Sequence, residues 1–167
     1  MNYPTFGFSA EELQSLGLLI VYCAILENQV DDVLMSFRAE ATKAGPTKGL
    51  AGETLSAKLQ EIKIASRSET DQEIVHLVKE LRWAMAHVQK ARNMLAHGRV
   101  LQDENGAPSF WSHWKLKEMT VPEVTGVMPR LIYAGKVTRH IHWKLMNRSN
   151  GGIFPMTPLP PLPGRPA

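Results

Sequence analysis

Between Thr70 and Gly98 the apolar residues Ile74, Leu77, Val78, Leu81, Met85, Val88 and Leu95 recur mostly at steps of three and four, the spacing that gathers them on one face of an α-helix. Thr70-Asp71-Gln72-Glu73 supplies a capping-box pattern at the start, and Gly98 stops the helix at the end. A long helix with one apolar stripe has to lay that stripe against other elements, so the chain is constrained to a packed helical architecture.

Two more helices precede it. Ser9 and Glu12 form a second capping-box pattern, with Phe8 and Leu13 at the hydrophobic-staple positions, and Leu13, Leu16, Ile20, Cys23, Ala24, Val30, Val33, Leu34 and Phe37 carry a stripe from Ala10 to about residue 43. Gly45-Pro46 ends it, a glycine-rich loop follows to Gly52, and Leu55, Leu59 and Ile62 mark a short second helix. After Gly98 the pattern becomes β-prone: Val100-Leu101 and the run 109–114 flank Asp103-Glu104-Asn105-Gly106, which predicts a small hairpin. Thr120-Val121-Pro122-Glu123 opens a last helix to about Asn147, with Pro129 either kinking or splitting it. From Gly151 the chain is Pro-rich and reads as an extended tail that adds no packed element. The expected organisation is one all-α domain over residues 1–150, a four- to five-helix bundle with a small β-hairpin insertion, and a tail over 151–167.

At 167 residues one core suffices, burying roughly 70% of the unfolded surface. The composition, 44% hydrophobic and 21% charged, is that of a soluble protein. The most apolar stretch, 16–26, is interrupted by Tyr22 and Glu27-Asn28-Gln29 and reads as a buried helix, so no membrane partner is expected. Met1-Asn2-Tyr3-Pro4 lacks the features of a secretory signal, which makes cytoplasmic location the expectation. A single cysteine, Cys23, excludes an intramolecular disulfide and is expected to fill the core. Net charge +3 permits a polyanionic partner without requiring one.

The segment Ala91-Arg92-Asn93-Met94-Leu95-Ala96-His97-Gly98 places an Arg, an adjacent polar residue and a His at the end of the long helix. It resembles the R-x-x-x-x-H signature of the HEPN superfamily, whose members are helical bundles. The resemblance implies an up-and-down bundle of that type and cofactor-free, metal-independent RNA cleavage, in which the ribose 2′-hydroxyl attacks the adjacent phosphate and leaves a cyclic phosphate end. It also implies a homodimer with two copies of the motif facing each other across a cleft.

That chemistry suits the residues. Protons must leave the 2′-oxygen and reach the departing 5′-oxygen, work for an imidazole with an unperturbed pKa of about 6.5, here His97. A guanidinium offers paired donors to the phosphate oxygens and keeps its charge, here Arg92. Asn93 would orient the phosphate or the imidazole, and Gly98 would give a sharp turn with positive φ. On an ideal helix Arg92 and His97 diverge by about 140°, so they converge only if the helix end unwinds or a second subunit completes the site. The alternative account is structural: cations in a last turn favour the helix dipole, and Gly98 is a C-cap.

Glu27 falls on the stripe of the first helix and needs a partner; Arg92 is a candidate, beside a purely structural pair or a solvent-facing carboxylate. Around the hairpin, Trp111, His113, Trp114, Lys115 and Lys117 mix aromatics with cations, suited to stacking bases and meeting phosphates, or to anchoring the hairpin through a Trp. Arg139, His140 and Lys144 make the last helix basic, an extension of a phosphate-binding surface or a solvated face. The histidines form no metal constellation, and no metal is expected. The run 159–165 fits the pattern read by SH3-type grooves, or is a free end or an arm along a neighbouring subunit. Together these readings give a HEPN-type endoribonuclease acting on RNA, in the manner of a growth-arresting toxin or anti-phage effector. The alternative is a non-catalytic helical dimer that binds RNA or protein.

Overall fold

Four of the five described helices begin where a side chain accepts hydrogen bonds from amides that the first turn leaves open. In the computed structural model, which describes residues 6–42, 54–112, 117–152 and 158–159, the Ser9 hydroxyl accepts from the Glu12 amide and Glu12 accepts from the Ser9 amide, starting α1 (Ala10–Thr42). The staple partners separate: Phe8 turns onto Phe110, ring centroids 5.8 Å apart, and Leu13 faces outward. Thr54 caps α2 (Leu55–Ala65). Asp71, not Thr70, caps α3 (Gln72–His97), because its carboxylate takes the Glu73 and Ile74 amides together. The loop expected at 45–52 lies outside the described residues.

The β-prone region forms a three-stranded antiparallel sheet, one strand more than the hairpin the sequence suggests: β1 (Arg99–Gln102), β2 (Pro108–Ser112) and β3 (Lys117–Thr120), in that order. The Asp103 carboxylate closes the β1–β2 turn by accepting from the Asn105 and Ala107 amides, and Gly106 takes φ +81° there. Phe110 pairs with Met119 across β2 and β3, and both are buried. Phe110 anchors the sheet in the core; Trp111 is half-buried, and His113, Trp114 and Lys115 lie outside the described residues.

Pro129 splits the last helix. A capping box of Thr120 and Glu123 starts the short α4 (Val121–Thr125), and α5 (Met128–Asn150) begins with Pro129 in its first turn, where a missing N–H costs nothing. α5 lies at the centre of the bundle, burying Leu131, Ala134, Val137, Ile141 and Leu145 against α1 and α3.

The cross-links reveal direction. Asp31 meets Lys58 and Arg38 meets Glu61, so α1 and α2 run the same way. α3 runs opposite to α5, since Glu73 meets Lys144 while Glu80 accepts from Tyr133. The up-and-down order therefore fails between α1 and α2 and holds from α2 to α3 and from α3 to α5. The tail also departs from the reading of a wholly free segment: Leu159 packs against the core.

The stripe of α1 is set differently from the sequence reading in its first half. Leu16, Leu19, Cys23 and Leu26 are buried, while Leu13, Ile20 and Ala24 face outward. Apolar residues surround this stretch on all sides, so periodicity alone cannot choose its inner face. The result is an uncovered apolar half: Leu18, Ile20, Val21, Tyr22 and Ile25 are each at least 41% exposed. By length and composition α1 is apolar enough to cross a membrane, with mean hydropathy 1.3 over an 18-residue window, the one described helix that is.

Candidate functional site

α3 stays helical through His97, which closes the possibility that its end unwinds to bring Arg92 and His97 together. The two side chains leave the helix about 140° apart. Arg92 is turned toward α1, where its guanidinium meets the Glu27 carboxylate at 3.3 Å, and it also donates to the Asn93 side-chain oxygen at 3.3 Å. Both members of the Glu27–Arg92 pair stay partly open, with side chains 32% and 40% exposed. The guanidinium is thus oriented without being sealed away.

Two cavities meet at this pair. One of about 250 Å³ is lined by Ile20, Cys23, Ala24, Leu95 and Ala96 together with Glu27 and Arg92. The other, about 360 Å³, is lined by Thr54, Leu55, Ser56, Gln89 and Asn93 with the same two charges. Cys23 in the first is no nucleophile: burial, and then the Glu27 carboxylate, push its thiol up to about 11 although Arg92 pulls the other way.

His97 and Asn93 are exposed, and His97 makes no hydrogen bond or ion pair to a described residue. Gly98 differs from the expectation of positive φ: it is extended, at φ −74° and ψ 151°. Its glycine character serves a close approach instead, since a Cβ there would lie 2.3 Å from the Met94 carbonyl oxygen. The chain passes directly from α3 into β1 and seats His97 where helix becomes sheet.

The basic residues singled out on α5 are elsewhere. Lys144 pairs with Glu73 at 2.5 Å and Asp71 at 3.3 Å, His140 lies 3.4 Å from Glu73, and Arg148 donates to Glu69. This network surrounds the start of α3, about 36 Å along the helix from His97. Arg139 stacks over Trp143 at 5.9 Å. Lys117 is exposed on β3, where its charge acts on the Glu123 carboxylate. Among the described residues no three His, Cys, Asp or Glu side chains are grouped as a metal would need.

Sequence reasoning passed over another set on α3. Trp83 lies beneath the Arg130 guanidinium, 5.1 Å from its ring centroid, and 5.1 Å from the His87 ring. The pairing joins residues distant in sequence; the only signal available was the absence of any carboxylate in 81–97, where Arg82, Lys90 and Arg92 occur with His87 and His97. Comparison with known proteins returns no match: no family model, no curated protein and no solved structure corresponds to this chain.

Proposed function

We propose that this protein is a HEPN-type, metal-independent endoribonuclease that works as a homodimer. The observation that carries the reading is the Arg92 guanidinium, oriented by Glu27 and Asn93, half-open in a cavity that Ile20, Cys23 and Ala24 of α1 also line. Ile20 belongs both to that cavity and to the exposed apolar part of α1, so a second copy docked at this edge would bring a second motif to Arg92. Because one chain holds Arg92 and His97 apart, a second copy is also what the chemistry requires. The ribose 2′-oxygen loses its proton to one imidazole and bonds to phosphorus; the bond to the 5′-oxygen breaks, and that oxygen takes a proton from the other imidazole. Arg92 offsets the charge growing on the phosphate oxygens.

One observation favours the non-catalytic alternative: Arg92 already has a carboxylate partner, and His97 has none among the described residues. Cleavage of mixed-sequence RNA in excess EDTA distinguishes the two. The parent cleaves, leaving 2′,3′-cyclic phosphate ends, and His97→Ala and Arg92→Ala, folded and dimeric, do not. Ile20→Glu, on the outer face of α1, sediments as a folded monomer and is inactive. A parent that leaves every RNA intact over a range of pH establishes the binding module, and activity in a monomeric Ile20→Glu variant removes the dimer from the mechanism.

A further inference from the structure

The outer face of α3 is a continuous ridge. Lys79, Ala86, Lys90, Asn93 and His97 are all exposed and fall within about 60° of one another around the helix. Arg82 flanks them on the α2 side, and Trp83 with His87 on the α5 side. From Lys79 to His97 the ridge is about 27 Å long. Glu80, at its upper edge, already binds His76 and accepts from Tyr133. Glu123, at its lower edge, is committed to capping α4. Between them the helix itself carries no carboxylate.

Planar groups sit beside the cations. Arg130 covers Trp83, so the guanidinium offers a flat, charged surface. The His87 Nδ1–H donates to the Trp83 carbonyl at 3.2 Å, which leaves Nε2 as the ring nitrogen open to a ligand. Cations along a line, a stacking platform of Arg over Trp and an imidazole with one ring nitrogen open suit a strand whose bases are unpaired, because a duplex keeps its bases stacked inside.

We propose that this ridge is a track for single-stranded RNA: Lys79 and Arg82 meet phosphates, a base stacks on the Arg130–Trp83 pair, and the strand runs down α3 to His97. The length accommodates about four or more nucleotides, the small end of single-strand site sizes. Trp83 and Arg130 therefore position the strand and take no part in bond breaking. The track rests on the ribonuclease reading only for what happens at its His97 end.

Binding tests it in the His97→Ala background, where the RNA survives, by fluorescence anisotropy of a labelled 12-residue oligouridine. The double variant Lys79→Gln/Arg82→Gln weakens binding about tenfold or more at low salt and lowers the salt dependence by roughly 0.7 per lost phosphate contact. Arg130→Gln and Trp83→Leu, which removes the aromatic face but stays apolar, each weaken binding of the oligouridine about tenfold and leave binding of an abasic strand of the same length within about twofold. A duplex of equal length binds at least about tenfold more weakly than the single strand. Equal affinity for duplex and single strand, unchanged binding by the folded variants, or polyglutamate binding with the same losses each overturns the track. Ridge variants that bind normally while RNA is still cut through His97 remove the track and leave the nuclease. Ridge variants that lose binding where RNA is never cut, or is cut as well by His97→Ala, leave the track and remove the nuclease.

Discussion

At the start of α3, charge meets opposite charge: Asp71 and Glu73 face Lys144 and His140, and Glu69 faces Arg148. Over residues 81–97 the same helix presents cations without a carboxylate of its own, and Arg92 reaches across to Glu27 of α1. Charges matched inside a fold hold elements in register and are no longer available to a ligand. Charges left facing water in a row add little to stability, and a polyanion can use them. The difference teaches where to look on a basic chain: at cations the fold leaves unmatched, not at cations in general.

The largest expected effect separates the two ends by activity. His97→Ala lowers RNA cleavage by about 100-fold or more and moves stability by less than about 0.5 kcal/mol, as a general acid–base residue on the surface should. Lys144→Ala changes cleavage less than about twofold and lowers the melting temperature. The opposite pattern in cleavage assays and calorimetry would break the comparison.

Next comes Asp71→Ala, which removes the N-cap of α3 and a partner of Lys144; denaturant unfolding should show a loss of about 1–2 kcal/mol with RNA binding intact. A smaller effect depends on pH. Burial alone would raise the Glu69 and Asp71 carboxyls, but hydrogen bonds from Arg148 to Glu69, from the Glu73 amide and Lys144 to Asp71, and from nearby amides outweigh it and hold both below the usual range. The stability they contribute is complete above their unfolded pKa values near 4 and is lost as pH falls through the depressed folded values. Lys144 is raised by Glu73 and Asp71 against the effect of burial, so its contribution is complete below about pH 10 and is lost only as pH rises through its folded value. Arg148→Met should cost about 1 kcal/mol or less at pH 7, and in a melting series the gap from the parent should close as pH falls through the depressed folded value of Glu69. Smallest of all, Lys79→Gln leaves stability within about 0.5 kcal/mol at any pH, because no described residue pairs with Lys79.

Local signals in the sequence were readable to within a residue or two. The Ser9/Glu12 and Thr120/Glu123 caps, the turn at Asp103 and the break at Pro129 depend on neighbours a few positions apart, and the structure has all four. What needed three dimensions was not. Lys117-Glu118-Met119-Thr120 is too short and polar to read as a strand until Phe110 supplies a mate for Met119. The inner face of α1 was ambiguous where every face is apolar. The site divides along the same line: Arg92, Asn93, His97 and the need for a partner to Glu27 follow from spacing, whereas the capture of Lys144 by acids and the stack of Arg130 on Trp83 join residues roughly fifty or more positions apart.

A helix that is apolar on every side has no preferred angle of rotation about its own axis. In α1 that angle is set lower down, by Glu27 against Arg92, Asp31 against Lys58, Ser36 against His142 and Arg38 against Glu61. These pairs act like the teeth of a key: they add modestly to the strength of the fold but admit one setting of the cylinder, and that setting decides which apolar residues a neighbour can touch. Cys23, closed off on the inner side with a thiol that is hard to ionise, is a built-in witness. Should the teeth be filed away, the helix would keep its turns while its sulfur came round to the light.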